Sequence, residues 1–185
     1  MPFDSRAYGT QVSEILALGQ DGNRNIPLVA DSCISGNARA RLKKQKACEL
    51  FAGAYAPEEA LAGLWLYFSC SDECHQIVQD LESPEACFWH AILHRQEPDA
   101  ANACYWFRRV GSHRVFADLW RSASELVKSD SHIAFRLGDR WDPFAFVAFC
   151  EAARKMPGSP TERAAMEIQT AEWQFLFDYC ARFRP

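Results

Sequence analysis

What this chain lacks narrows its class first. No stretch reaches the roughly 18 uncharged apolar residues that a membrane span needs. The opening MPFDSRAYGTQVSEILALG has neither the basic start nor the unbroken apolar run of a secretory leader. These two absences predict a cytoplasmic protein that does not enter the membrane. Basic charge is also short, with 20 Lys and Arg against 24 Asp and Glu and a formal net charge of −4. That balance argues against a nucleic-acid partner, which calls for a basic surface. A nucleophile elbow, a phosphate-cradling glycine loop, a dinucleotide fingerprint and a paired CxxC are all missing. Alternating strand patterns are scarce too, and only Ser131 to Trp141 has room for a short strand.

What is present is helix after helix. With 185 residues the chain is long enough to bury a core without staples. Residues 4 to 19 carry Val12, Ile15 and Leu16 on one side of a short docking helix, and Pro27 makes the following segment an extended connector. Arg39, Arg41, Lys43, Lys44 and Lys46 then lie on a helix with apolar positions Leu42, Ala47, Leu50, Phe51 and Ala54. No aromatic residues interleave with these charges, so the run reads as a solvated face. Pro57-Glu58-Glu59 opens a helix that is apolar all round to Phe68, and Ser71 is placed to cap the next, Asp72 to Leu81. Ser83-Pro84-Glu85, Asp99, Ser112, Asp142-Pro143 and Ser159-Pro160-Thr161-Glu162 are further helix starts. The expected fold is all-α, an irregular array of antiparallel helical hairpins with roughly seven to nine helices and no substantial sheet. One helical domain covers 1–185, with 1–36 as docking helix and connector and 37–185 as the helical core. Most of the eight cysteines fall within helical apolar patterns, which predicts reduced core thiols.

Chemistry-bearing residues concentrate between Ser83 and Gly111. At about 100° per residue, Cys87, His90, His94 and Glu97 share one stripe of the first helix of this hairpin. Asn102, Tyr105 and Arg109 share a stripe of the second, opposite Ala103, Trp106, Phe107 and Val110. Two stripes of this kind can border a polar groove. His90 and His94, spaced i and i+4, can present two imidazoles to one ion such as zinc, with His75, Glu73 or His113 completing the set. Ala91 stands where a zincin-type helix carries its general-base glutamate, so the familiar metalloprotease reading fails. The same groove offers His90, His94, Glu97, Asn102, Tyr105, Arg109 and His113 to a protein partner or a small anionic ligand, with arginine giving two-pronged recognition. A non-enzymatic binding module with no cofactor is the leading expectation. A metal-dependent enzyme, hydrolytic in type, and a structural subunit of a homo-oligomer are the alternatives. Cys70 and Cys74 beside His75 form a further candidate for metal or thiol chemistry.

Ala86, Trp89, Leu93, Asp99, Ala103, Trp106, Phe107 and the Arg108-Arg109 pair make the hairpin similar to the helix-turn-helix units of tetratricopeptide and Sel1-type repeats. Those families build α-solenoids with a protein-binding concave face, and the resemblance implies such a role. The segments LWLYF, DECH, FWHAILHR and YWFRRVG also resemble a family of uncharacterised bacterial all-helical proteins. That likeness implies a bacterial, cytoplasmic, helical protein.

Overall fold

The computed structural model describes residues 3–30 and 32–183. Among them are ten α-helices, two 3-10 segments and no strand. The N-terminal pattern splits into a 3-10 turn at Ser5–Tyr8, α1 (Thr10–Leu16) and a second 3-10 segment at Ala17–Gly22. An extended connector leads to α2 (Gly36–Leu42) and α3 (Ala47–Leu50), which replace the single basic helix expected there. The break falls in the run of like charges after Lys43, where Lys44 N–H turns back to Arg41 and Gln45 N–H to Leu42. Next come α4 (Pro57–Tyr67), α5 (Ser71–Val78), α6 (Pro84–Gln96) and α7 (Ala100–Val110). The chain closes with α8 (Val115–Ser129), α9 (Pro143–Ala153) and α10 (Pro160–Ala181). Ser131 to Trp141 forms irregular backbone, tied down by Ile133, Phe135 and Trp141 in a buried cluster.

Several starts follow the sequence signals. Ser83 accepts from Ala86 N–H, Asp99 from Asn102 N–H, Asp142 from Phe144 and Ala145 N–H, and Ser159 from Glu162 N–H. Each satisfies a donor that the first helical turn would leave orphaned. Two starts differ. Ser71 is the first residue of α5, so the capping position falls on Cys70, whose side chain makes no cap bond. At α8 the cap bond comes from His113, whose Nδ1 accepts from Val115 N–H at 3.2 Å, rather than from Ser112.

The centre of the molecule is α6, buried at every residue from Glu85 to Gln96 and packed against α4, α5 and α7. One core cluster gathers around α4, α6 and the C-terminal half of α10. A second joins α8, α9 and the N-terminal half of α10 with the irregular segment before α9. Helix α10 spans both, at about 1.5 Å per residue. Between them lies a fully buried ion pair: Arg95 meets Glu172 with both side chains at 0% exposure, and its Nε donates to Gln169 at 3.2 Å. The Arg95 guanidinium also lies 4.6 Å from the Phe146 ring centroid. Close packing at α4 leaves no room at Gly63, where an added Cβ would stand 2.7 Å from Trp89 Cζ2. Gly63→Ala gains about 1 kcal/mol in helix propensity but overpacks a ring at 0% exposure, which costs roughly 1–3 kcal/mol. The expected outcome is net destabilisation, read as a lower midpoint in thermal unfolding.

The cysteines depart from the all-reduced expectation. Cys33 of the connector and Cys70 before α5 form a disulfide, while Cys48, Cys74, Cys87, Cys104, Cys150 and Cys180 are outside any disulfide. The connector brings Cys33 to the α4–α5 turn because Ile34 N–H donates to Phe68 C=O at 2.9 Å. Spacing within helical patterns cannot register such a pairing, since the partners are 37 residues apart. No helix among the described residues is long and apolar enough to cross a membrane.

Candidate metal centre

Antiparallel packing of α6 on α7 brings the two polar stripes together rung by rung. Asn102 Nδ2 lies 3.1 Å from His94 Nε2, and the Trp106 ring stacks on His90 at 3.8 Å between centroids with 17° between planes. At the third rung the Arg109 guanidinium acts on Cys87: burial pushes the Cys87 thiol up, and Arg109 pulls against it. These rungs close the seam. Cys87, His90 and His94 are 1%, 2% and 8% exposed, so the expected open polar groove between the stripes is replaced by direct contact. Trp106, assigned to the apolar face by its side chain, is the residue that covers His90. Tyr105 turns outward to 48% exposure. Arg109 lies over Trp106 at 5.1 Å from the ring centroid, 3.5 Å from the Tyr105 hydroxyl.

The remaining side of the histidine stripe faces α5. His75, half-buried, sets its ring 4.7 Å from His90 and 5.8 Å from His94, edge-on to both. The His90 and His94 rings stack at 4.8 Å, as i and i+4 residues on one helix face do. One ring nitrogen from each of His75, His90 and His94 lies within 4.8 Å of the others, and among the described residues this is the group of His, Cys, Asp and Glu so arranged. Two nitrogens bound to one tetrahedral ion at about 2.05 Å stand roughly 3.4 Å apart. Two of the three ligands share α6, and the third, half-buried His75, comes from α5.

The electrostatics suit neutral imidazole ligands. Burial holds the His90 pKa down at about 3, with His94, His75 and Arg109 adding to the effect. Its Nδ1 is buried and has no hydrogen-bond partner among the described residues. Buried polar atoms rarely stay so. His94 Nδ1 lies 2.9 Å from Glu97 Oε2, an arrangement in which Nδ1–H donates to the carboxylate and Nε2 keeps its lone pair. That carboxylate–histidine pairing fixes ring orientation and tautomer in metal sites. Asn102 faces the same Nε2, so it must turn its amide aside for His94 to bind an ion.

The other predicted residues go elsewhere. Glu73 points away from the cluster and pairs with Arg39 at 2.6 Å and Lys43 at 3.8 Å. His113 sits at the opposite end of α6, 3.3 Å from Glu85 and 4.8 Å between rings from Tyr179. It braces the starts of α6 and α8, and no part of it belongs to the histidine cluster. Cys74 stands next to His75 in sequence but faces inward, and burial pushes its thiol well above its usual range. Cys70 is taken by the disulfide. The Cys70–Cys74–His75 candidate is thereby dismantled, because adjacent helical residues point in different directions. Comparison with known proteins yields no matching family model, no matching curated protein and no matching solved structure.

Proposed function

We propose that this protein is a helical metal-binding protein whose ion is held by His75, His90 and His94, with a borderline ion such as zinc the best suited to three imidazoles. The observation that supports this reading is the convergence of three ring nitrogens from two helices within 4.8 Å, one of them next to a carboxylate-oriented tautomer. Three nitrogen ligands would leave a further position on a tetrahedral ion. A hydrolytic role for that position would need a base near the bound water. Glu97, the carboxylate in contact with the cluster, is committed to His94, so binding rather than catalysis is the reading favoured.

Elemental analysis of protein purified without chelator, followed by zinc titration of the metal-free form, tests it. One equivalent per chain is expected, and the absence of any uptake at micromolar zinc would remove the proposal. Glu97→Gln keeps the side-chain volume but weakens the hold on His94 Nδ1–H. Loss of such an orienting partner typically costs about 10–100-fold in metal affinity, and competition with a chromogenic chelator measures it. An unchanged affinity would mean that Glu97 plays no orienting part.

A further inference from the structure

The three ligands are not equally secured. His90 and His94 ride on a helix buried all round, whereas His75 comes from α5, eight residues long, whose capping position has no side-chain bond. Immediately before α5 the chain turns through Ser69 at φ +57, a conformation L-residues seldom adopt. The connector adds to what holds this start in place, beside the Cys70 N–H bond to Trp65 C=O and the burial of Cys74 and Val78. Cys33 is joined to Cys70, Ile34 N–H donates to Phe68 C=O at 2.9 Å, and α2 follows, reaching α5 through Arg39 and Glu73 at 2.6 Å. Cys70 and His75 are five residues apart, within about one and a half helical turns. Among the contacts that place the third ligand, one is therefore a bond that thiol chemistry can open.

We propose that the Cys33–Cys70 disulfide is a redox switch for the metal site, fixing the start of α5 so that His75 reaches the ion. This inference rests on the metal reading above. Low-molecular-weight thiols are the chemical partner. Two of them give up two electrons and two protons, becoming one disulfide, while Cys33 and Cys70 become thiols. Opening the bond frees the α4–α5 turn and leaves the ion with His90 and His94. Because linkage is reciprocal, bound metal protects the disulfide by the same factor by which the disulfide strengthens metal binding. No free thiol needs to enter the coordination sphere, and buried Cys74 stays out of it.

The test compares zinc affinity, by chelator competition, in the oxidised protein, in protein reduced with a phosphine and in Cys33→Ser/Cys70→Ser. The phosphine takes its oxide oxygen from water, whose two protons go to the cysteines. Reduction and the double substitution are each expected to weaken zinc on the order of tenfold, a usual size for coupled sites. His75→Ala should bind weakly in both redox states, with no further change on reduction. In the reverse experiment, the disulfide equilibrated with a glutathione couple should be more resistant to reduction with zinc at saturation. Equal zinc affinity in the oxidised and reduced wild type overturns the switch and leaves the metal site standing. An oxidised wild type that takes up no zinc overturns both. Circular dichroism separates loss of fold in the serine variant from loss of binding, and the reduced wild type serves without any substitution.

Discussion

His90→Ala is expected to abolish zinc binding at micromolar concentration, the largest functional effect of any single substitution in this chain. Structural zinc sites with four ligands are worth about 10–16 kcal/mol, so one ligand carries roughly 3 kcal/mol or a hundredfold in affinity. His90 has further weight because its ring is nearest to both of the others, at 4.7 and 4.8 Å, and contributes a buried nitrogen that has no hydrogen-bond partner among the described residues. Chelator competition on His90→Ala and on a surface control such as His132→Ala, an exposed histidine beside Asp130, checks the result. If the two variants bind zinc alike, the three-histidine site is wrong. Because the His90 ring is buried and stacks on Trp106 at 3.8 Å, its truncation leaves a cavity, and circular dichroism on the same variant separates loss of binding from loss of fold.

His90 also gives the metal-free protein a pH signature. Its pKa is held at about 3 in the native state, against 6.5 when unperturbed. As pH falls through 6.5 the unfolded chain takes up a proton that the native protein refuses, so stability is highest above that point. It declines by about 1.4 kcal/mol per pH unit toward pH 3. Urea unfolding between pH 7 and 4 should therefore show a shallower slope in His90→Ala than in the parent. Parallel slopes would mean that the buried imidazole accepts its proton more readily than its surroundings imply.

Glu172→Ala is expected to produce the largest loss of stability. Arg95 and Glu172 are both at 0% exposure, and removing one member of a buried pair strands the other charge, at a cost of roughly 3–5 kcal/mol. For a chain of this size that lowers Tm by on the order of 10 °C. Burial pushes the Glu172 carboxyl up while Arg95 works against it, the sign of a charge tolerated only because of its partner. The double variant Arg95→Met/Glu172→Leu should recover most of the loss, because apolar replacements of similar volume carry no desolvation penalty. Differential scanning calorimetry on the three proteins decides it. A single variant that melts within about 2 °C of the parent would show that water reaches this pair.

Part of this architecture is legible in the sequence. Ser83, Asp99, Asp142 and Ser159 announced their helices because a cap is a local bond between near neighbours in the chain. His90 and His94 announced a shared face for the same reason: helical periodicity is local. His75 was within the expected ligand set, but so were Glu73 and His113, and nothing in spacing distinguished them. Only the packing of α5 on α6 does so, bringing His75 in, turning Glu73 toward Arg39 and leaving His113 with Glu85. Helical spacing puts Trp106 on the apolar side of its helix, in keeping with its chemistry. Its face nonetheless covers an imidazole, because a large ring can be both core and wall.

An all-helical chain with most of its caps, the central place of the 84–110 hairpin and the stripe that carries His90 and His94 are all legible in the order of residues. These are consequences of bonds and periodicities spanning a few residues. Packing is what closes the stripes on each other, brings His75 rather than Glu73 or His113 to them, and joins Arg95 to Glu172 and Cys33 to Cys70. Each of those joins residues distant in the chain, or turns on which helix faces meet, and that depends on how the whole set of apolar surfaces is buried at once.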